Sequence, residues 1–491
     1  MSSLKRAFNQ ASLYTFFQGL GMAVSFITFP IITRILSVED YGNLALVNAT
    51  MSILLGVAKF GMTTSFIRFY AASKSDLEKA GLYTTALAGS LFISLLITGL
   101  YAVVLFFFGD DIGAYLTKVL LIAGALIVLG DLRDLFNSFL RAEEKVFTLS
   151  VMSLLFRIGS ALSGIVACVV FLGGLFGYMI GIVLFEAVMV SGFIYFFARR
   201  GVFAANTISL SVLKTLFVFG APLLLFEISS LLNDYSDRFL IKYFLDSASL
   251  GIYSVGYNLS LYVQAFVTSP LWMAIFPIYT KIWETDGAAK TSQFLEFLLK
   301  YYLCAAILVV SGLTVTSREL LTVLATQRYA GAAAIVPFII TSVMLYGTTH
   351  ITGAGFFLQK RTRTIALLTL TCAAVNFALN LFLIPTYHIA GAAYSTFVSY
   401  CLLTLLVTSG AGKLLKIRWP WRDVAMYTLF AVIMVSIIFR FDYSNVAVNL
   451  VVKSLAGFVI YTSCVLLYDR EIRVRTLSYL GHFYRNHLAR R

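Results

Sequence analysis

Nine ionisable side chains lie in or at the edge of long apolar runs, where an insertion penalty of about 2.5–3.5 kcal/mol normally excludes them. Lys59, Arg157, Glu186, Glu227 and His350 fall inside such runs, Arg34 ends the first, and Asp234, Asp237 and Arg238 crowd the far end of the seventh. Groups bearing this penalty usually face a wet interior rather than acyl chains. An ammonium or guanidinium placed there replaces the lost hydration of an anion with charge-assisted hydrogen bonds. Lys59 and Arg157, then Arg34 and Arg238, are the side chains for that task. Glu186, Glu227, Asp234 and His350 form a second class, because a proton or sodium ion held by them would link occupancy to conformation. Each also has a plainer reading. Arg157 can pair with Glu186 on the next run, Arg34 and Arg238 can be interfacial anchors, and His350 can be a packing residue. No spacing suits a nucleophile, a metal or a cofactor. The five cysteines stand apart with no CxxC pair, and SGAGKLL (409–415) lacks the flanking residues of a phosphate loop.

The elements that must position these groups follow from composition. Of 491 residues, 60% are apolar or aromatic, 12% are charged, and mean hydropathy is +0.89, against about 45–50% apolar and about 25% charged in soluble domains. Fourteen apolar windows reach about the 20 residues a spanning helix needs: 12–33, 43–67, 81–108, 113–132, 148–170, 175–197, 213–234, 250–277, 295–316, 331–356, 364–385, 389–411, 424–439 and 446–468. The chain therefore reads as an all-α integral membrane protein. Connections averaging about 14 residues are far below the roughly 50 a soluble domain requires, so a separate catalytic module is excluded. With both termini cytoplasmic, inner segments carry 27 of the 37 Lys and Arg and outer ones 7, as the positive-inside rule demands. The net charge of +14 is thus spent on capping spans, and no nucleic-acid partner is implied. The opening run, basic then apolar without a small-residue cleavage site, reads as span 1 rather than a removable signal. At the other end, Leu477, Leu480, Tyr484 and Leu488 share one face of a basic helix suited to the anionic inner surface or to solvent.

Two internal matches suggest duplication. ITRILSVEDYGNLALVNATMS (32–52) resembles LIKYFLDSASLGIYSVGYNLS (240–260), with Gly42 and Gly251 209 positions apart, and 139–160 resembles 356–380 at an offset of 218. An offset of six spans keeps the copies in the same orientation, related by an axis along the membrane normal. The expectation is two pseudo-symmetric six-helix lobes, 1–198 and 213–412, joined by a cytoplasmic linker at 199–212 and followed by two C-terminal spans (413–468) and a basic tail (469–491).

RILSVEDYG after span 1, AGFFLQKRTRT before span 11 and NFALNLFLIPTYHIAGAAYSTFVSY (376–400) resemble the Wzx-type polysaccharide flippases of the MOP exporter superfamily. The likeness runs along nearly the whole chain, with Asn376, Asn380, Pro385 and Gly391 its most specific part; His388 departs from the family's usual Gly-rich or aromatic turn. The resemblance implies a 14-span transporter. It would move undecaprenyl-diphosphate-linked oligosaccharide units, of O-antigen or capsule type, to the outer leaflet of a bacterial inner membrane by alternating access. The diphosphate would occupy a cationic cavity between the lobes and the polyprenyl tail would stay among membrane lipids. Tyr14, Tyr253, Tyr257 and Tyr262 are candidates to stack on sugar rings, other polysaccharide-assembly proteins are possible partners, and H+ or Na+ is a possible coupling ion. A cation-coupled drug antiporter of the same superfamily is the alternative transporter. A membrane-embedded polymerase or acyltransferase is the alternative enzyme, disfavoured by the short outer loops.

Overall fold

The computed structural model describes residues 2–203 and 207–474, without the side chains of 2–12, 14, 171–172, 225–226, 229, 269 and 362. The expected tail helix around Leu477–Leu488 and the side chain of Tyr14 lie outside the described residues. Regular structure among the described residues is entirely helical: α1 (Ser2–Ile35), α2 (Val38–Lys59), α3 (Met62–Ala72), α4 (Asp76–Ile112), α5 (Ala114–Ala123), α6 (Ala125–Ala142), α7 (Val146–Val166), α8 (Gly174–Arg199), α9 (Leu210–Phe244), α10 (Ser247–Val263), α11 (Ser269–Ala325), α12 (Val336–Thr352), α13 (Ala354–Leu358), α14 (Thr362–Gly412), α15 (Trp421–Ile438) and α16 (Val446–Tyr468), with short π and 3-10 turns between some of them.

Nine helical stretches among the described residues are long and apolar enough to cross a membrane. Two of them hold more than one sequence window. Ser247–Ala325 has 79 residues, which at about 1.5 Å per residue would run on the order of 120 Å, four times a hydrocarbon core of ~30 Å. It is broken at Gly287, whose φ of 79° and ψ of −175° only glycine adopts without strain. Arg363–Gly412, 50 residues, breaks at His388 with φ 57°. There a Cβ on Gly391 would stand 2.0 Å from the Leu383 carbonyl oxygen, so the chain turns back tightly between spans 11 and 12. All fourteen windows fall on helix, and the protein is an all-α membrane protein. Span 4 differs from its window: α5 and α6 carry helix on to Ala142 rather than stopping at 132, so Arg133 and Asp134 lie on the same helix as Asp131 and not in a loop.

Backbone contacts divide the chain into two units: Met1–Ser254 with Ala373–Ser395, and Val255–Cys372 with Thr396–Arg491. In the first of them α9 packs on α2, α3 and α4. In lipid, close packing rather than expulsion of water holds helices together, and the first unit packs aromatic rings. Phe136 stacks on Phe193 and Phe197 at 5.5 and 5.3 Å, and Phe156 on Phe193 at 5.6 Å. At the end of α6, Glu143 accepts hydrogen bonds from Tyr83 of α4 (2.5 Å) and Arg200 beyond α8 (3.0 Å), and pairs with Lys145 at 2.5 Å. Burial opposes ionisation of Glu143, but these donors together hold its carboxyl below the usual carboxylate range.

Within this unit the repeat becomes a contact. Ser37 caps α2 through the Asp40 amide and Asp246 caps α10 through the Ser249 amide, both pairs 209 residues apart. A Cβ on Gly42 would lie 1.8 Å from Ser247 O, and one on Gly251 would lie 2.1 Å from Val38 O. Since Val38 and Ser247 are also 209 apart, each copy presses on its counterpart by the same atoms.

In the second unit, α11 is pinned to α15 and α16 at two levels along its length. Lys300 contacts Asp469 at 2.6 Å and Asp423 at 3.6 Å, and Lys453 contacts Glu319 at 2.5 Å. A groove of about 420 Å³ opens between α11, α12 and α15.

Gly42→Ala or Gly251→Ala should abolish monodisperse folded protein on size exclusion, whereas Gly99→Ala, with nothing within 4 Å of its Cβ, should leave yield unchanged. Glu143 should stabilise the fold fully above about pH 5 and lose that contribution as pH falls through and below its unfolded value of about 4.3. The gap in melting temperature between wild type and Glu143→Gln should therefore close on acidification.

Candidate functional site

The left-handed Phe60 (φ 43°) ends α2 immediately after Lys59. Lys59 then reaches two helices at once: its ammonium is 2.9 Å from Asp134 of α6 and 3.7 Å from Glu227 of α9. One residue before Asp134, Arg133 places Nη1 2.6 Å from Glu186 Oε1 of α8 and Nε 3.3 Å from Asp134 Oδ1. Ser160 of α7 donates to the same Glu186 oxygen at 3.3 Å. Asp131, one turn earlier on α6, is completely buried. The result is a charge network at membrane depth contributed by α2, α6, α8 and α9.

This arrangement corrects two expectations. Glu186 pairs with Arg133 and not with Arg157, because α7 turns Ser160 toward α8 while Arg157 points at α1. Lys59 is not a free cation awaiting an anion, being neutralised by Asp134 and Glu227. Both glutamates that lack a basic neighbour on their own helices find one on another.

Arg157 is exposed. Its Nη1 is 3.5 Å from Ser25 Oγ, and its guanidinium borders a small pocket of about 70 Å³ between α1 and α7, lined by Phe17, Gln18, Gly21, Ser150, Ser153 and Leu154. Ser150 Oγ is buried there without a protein partner. A Cβ on Gly21 would come within 3.3 Å of the guanidinium, so the bare backbone of α1 lets the arginine lie across it. The pocket thus offers two donors, Arg157 and a hydroxyl, with no carboxylate in its lining.

The other predicted residues are placed differently. Arg34 is exposed at the end of α1, donating to Pro30 O at 2.8 Å. Arg238 is neither an interfacial anchor nor open to an anion: it is 5% exposed, 3.1 Å from Asp237 Oδ1, and donates to the Asp234 carbonyl. Tyr253 donates to the other Asp237 oxygen at 2.5 Å and is wholly buried, so its ring is closed to a sugar; Tyr257 and Tyr262 are half-buried. Asp234 keeps an exposed side chain. In the second unit, His350 stacks on Trp272 at 4.6 Å and meets Tyr346 edge-on at 4.9 Å. Arg133 and Asp134 were missed from sequence because they follow the fourth apolar window and look like a loop, and Asp131 because it sits at that window's very end; the signal was apolar spacing that continues at Leu132, Leu135, Phe136 and Phe139 around them.

A model of the family described as "Polysaccharide biosynthesis protein" matches residues 8–283. The probable low-salt glycan biosynthesis flippase Agl15 of Haloferax volcanii is 21% identical over 273 residues, 54% of this chain and 57% of that protein. The chain thus spans little more than half the length of that curated relative. Among solved structures, lipid II flippase MurJ in an inward closed conformation superposes with a TM-score of 0.78 at 16% identity, covering 94% of this chain and 99% of the other. An inward-facing multidrug resistance MATE family transporter of the MOP superfamily gives 0.63 at 13% identity over 83% and 98%. At these identities the likeness shows a shared fold.

Removing one partner of the Arg133–Glu186 pair should strand a buried charge. Arg133→Met and Glu186→Gln should each lower stability by roughly 3 kcal/mol, while the double variant should lose less than their sum. Thermal unfolding of the four proteins in lipid nanodiscs measures this cycle.

Proposed function

The chain belongs to the polysaccharide biosynthesis protein family, and on that premise we propose that it is a flippase for lipid-linked glycans. The task needs a membrane-embedded polar site and no bond-making chemistry. The observation that carries the reading is the Arg157 pocket, a solvent-accessible guanidinium among hydroxyls inside a span. A phosphate crossing the bilayer must exchange water for donors of this kind. The relative from Haloferax volcanii is named as a glycan biosynthesis flippase and MurJ as a lipid II flippase, which supports a lipid-linked glycan as cargo. We assign the cargo to the undecaprenyl-diphosphate class carrying an O-antigen-like or capsule-like repeat unit. It would move from the inner to the outer leaflet of a bacterial inner membrane, with both termini cytoplasmic. Binding of the headgroup at Arg157 would favour one conformation over another, which is how a ligand drives alternating access. The MATE likeness does not favour drug antiport, since one fold hosts both activities.

In a deletion strain, Arg157→Ala should abolish surface polysaccharide and leave lipid-linked repeat units on the inner leaflet, with Arg157→Lys restoring part of the export. Gly21→Val, which crowds the guanidinium without removing its charge, should also lower export. Wild-type polysaccharide from Arg157→Ala at normal protein abundance would overturn the assignment.

A further inference from the structure

The network at membrane depth does not balance. Lys59 and Arg133 supply two positive charges, and Asp131, Asp134, Glu186 and Glu227 supply four carboxyl groups. Both cations are already engaged, Lys59 by Asp134 and Glu227, Arg133 by Glu186 and Asp134. Asp131 is left over. It has no exposed surface, and neither carboxyl oxygen has a hydrogen-bond partner among the described residues. The groups that act on it are Asp134 on its own helix, Lys59 from α2 and the hydroxyl of Ser90 from α4. Ser90 is itself 1% exposed with Oγ unpartnered. Among the described residues no three His, Cys, Asp or Glu are placed to hold a metal ion. An isolated carboxylate in such surroundings neutralises rather than remaining charged.

We propose that Asp131 is a proton-carrying site whose occupancy is linked to the Lys59–Glu227 contact. In the state described, Asp131 is the neutral acid and Lys59 is shared between α6 and α9. On ionisation the proton passes to water and the new carboxylate joins Asp134 on the same face of α6, three residues away. Lys59 is then drawn toward α6, and of its two contacts the longer one, 3.7 Å to Glu227, is the one surrendered. A proton on Asp131 therefore ties α2 to α9, and its loss releases that tie. The inference rests on the transporter reading only for its use, namely that proton flow biases the cycle of the Arg157 site.

The test uses the full chain in lipid nanodiscs. Infrared spectra at neutral pH should show a protonated-carboxyl carbonyl band that is missing from Asp131→Asn and shifted in Ser90→Ala. Asp131→Asn mimics the neutral acid, so its melting temperature should equal or exceed that of wild type, and the difference should widen as pH rises. An unchanged band, or a variant several degrees less stable at every pH, would show that Asp131 is an ionised structural partner of Lys59 and overturn the proposal. Neither measurement involves glycan. Normal export by Arg157→Ala alongside the expected band loss would therefore defeat the cargo-site reading alone, while normal export by Asp131→Asn would defeat the coupling role.

Discussion

Charge compensation between neighbouring helices is the constraint on which the rest of this molecule depends. In hydrocarbon a lone ion is expensive and water is scarce, so a buried ion is favoured where a counter-charge lies within reach, here mostly on another helix. Lys59 joins α2 to α6 and α9, and Arg133 joins α6 to α8. Lys300 and Lys453 join α11 to the last two spans. Each pairing fixes a helix in rotation and depth, which apolar packing alone does loosely. The aromatic stack of Phe136, Phe156, Phe193 and Phe197 then fills the space beside the ions.

The same constraint sets Arg157 apart from the other cations. Of the cations expected to meet an anion, Lys59 and Arg238 are held by carboxylates of their own unit, and Arg34 turns back on a backbone carbonyl. Arg157 is held by one long contact to a hydroxyl. A cation that must release its ligand on the other side of a membrane cannot be locked by a carboxylate, and this is the property that recommends Arg157.

Apolar run length was enough to place fourteen windows on helix, because that signal is local. Partnerships were not legible, because a periodicity says which face of a helix is polar and not which neighbour it meets. Hence Glu186 could be marked as buried while its partner, Arg133, was taken for a loop residue. The turn at His388 was flagged as unusual, and only backbone geometry shows that it works with Gly391 to reverse the chain. The glycine pair 209 residues apart was visible as a repeat, but nothing in the letters shows the copies touching.

That reciprocal contact has the form of an isologous dimer interface, in which each partner offers the other the same patch. Fusing two such partners into one chain frees the halves to diverge. Asn43 accepts a hydrogen bond from Ser247 at 2.6 Å, yet their counterparts, Ile252 and Val38, have no polar side-chain atoms to repeat it. Symmetry survives in the caps and in the glycines, where any side chain would collide, and has lapsed one residue from each glycine.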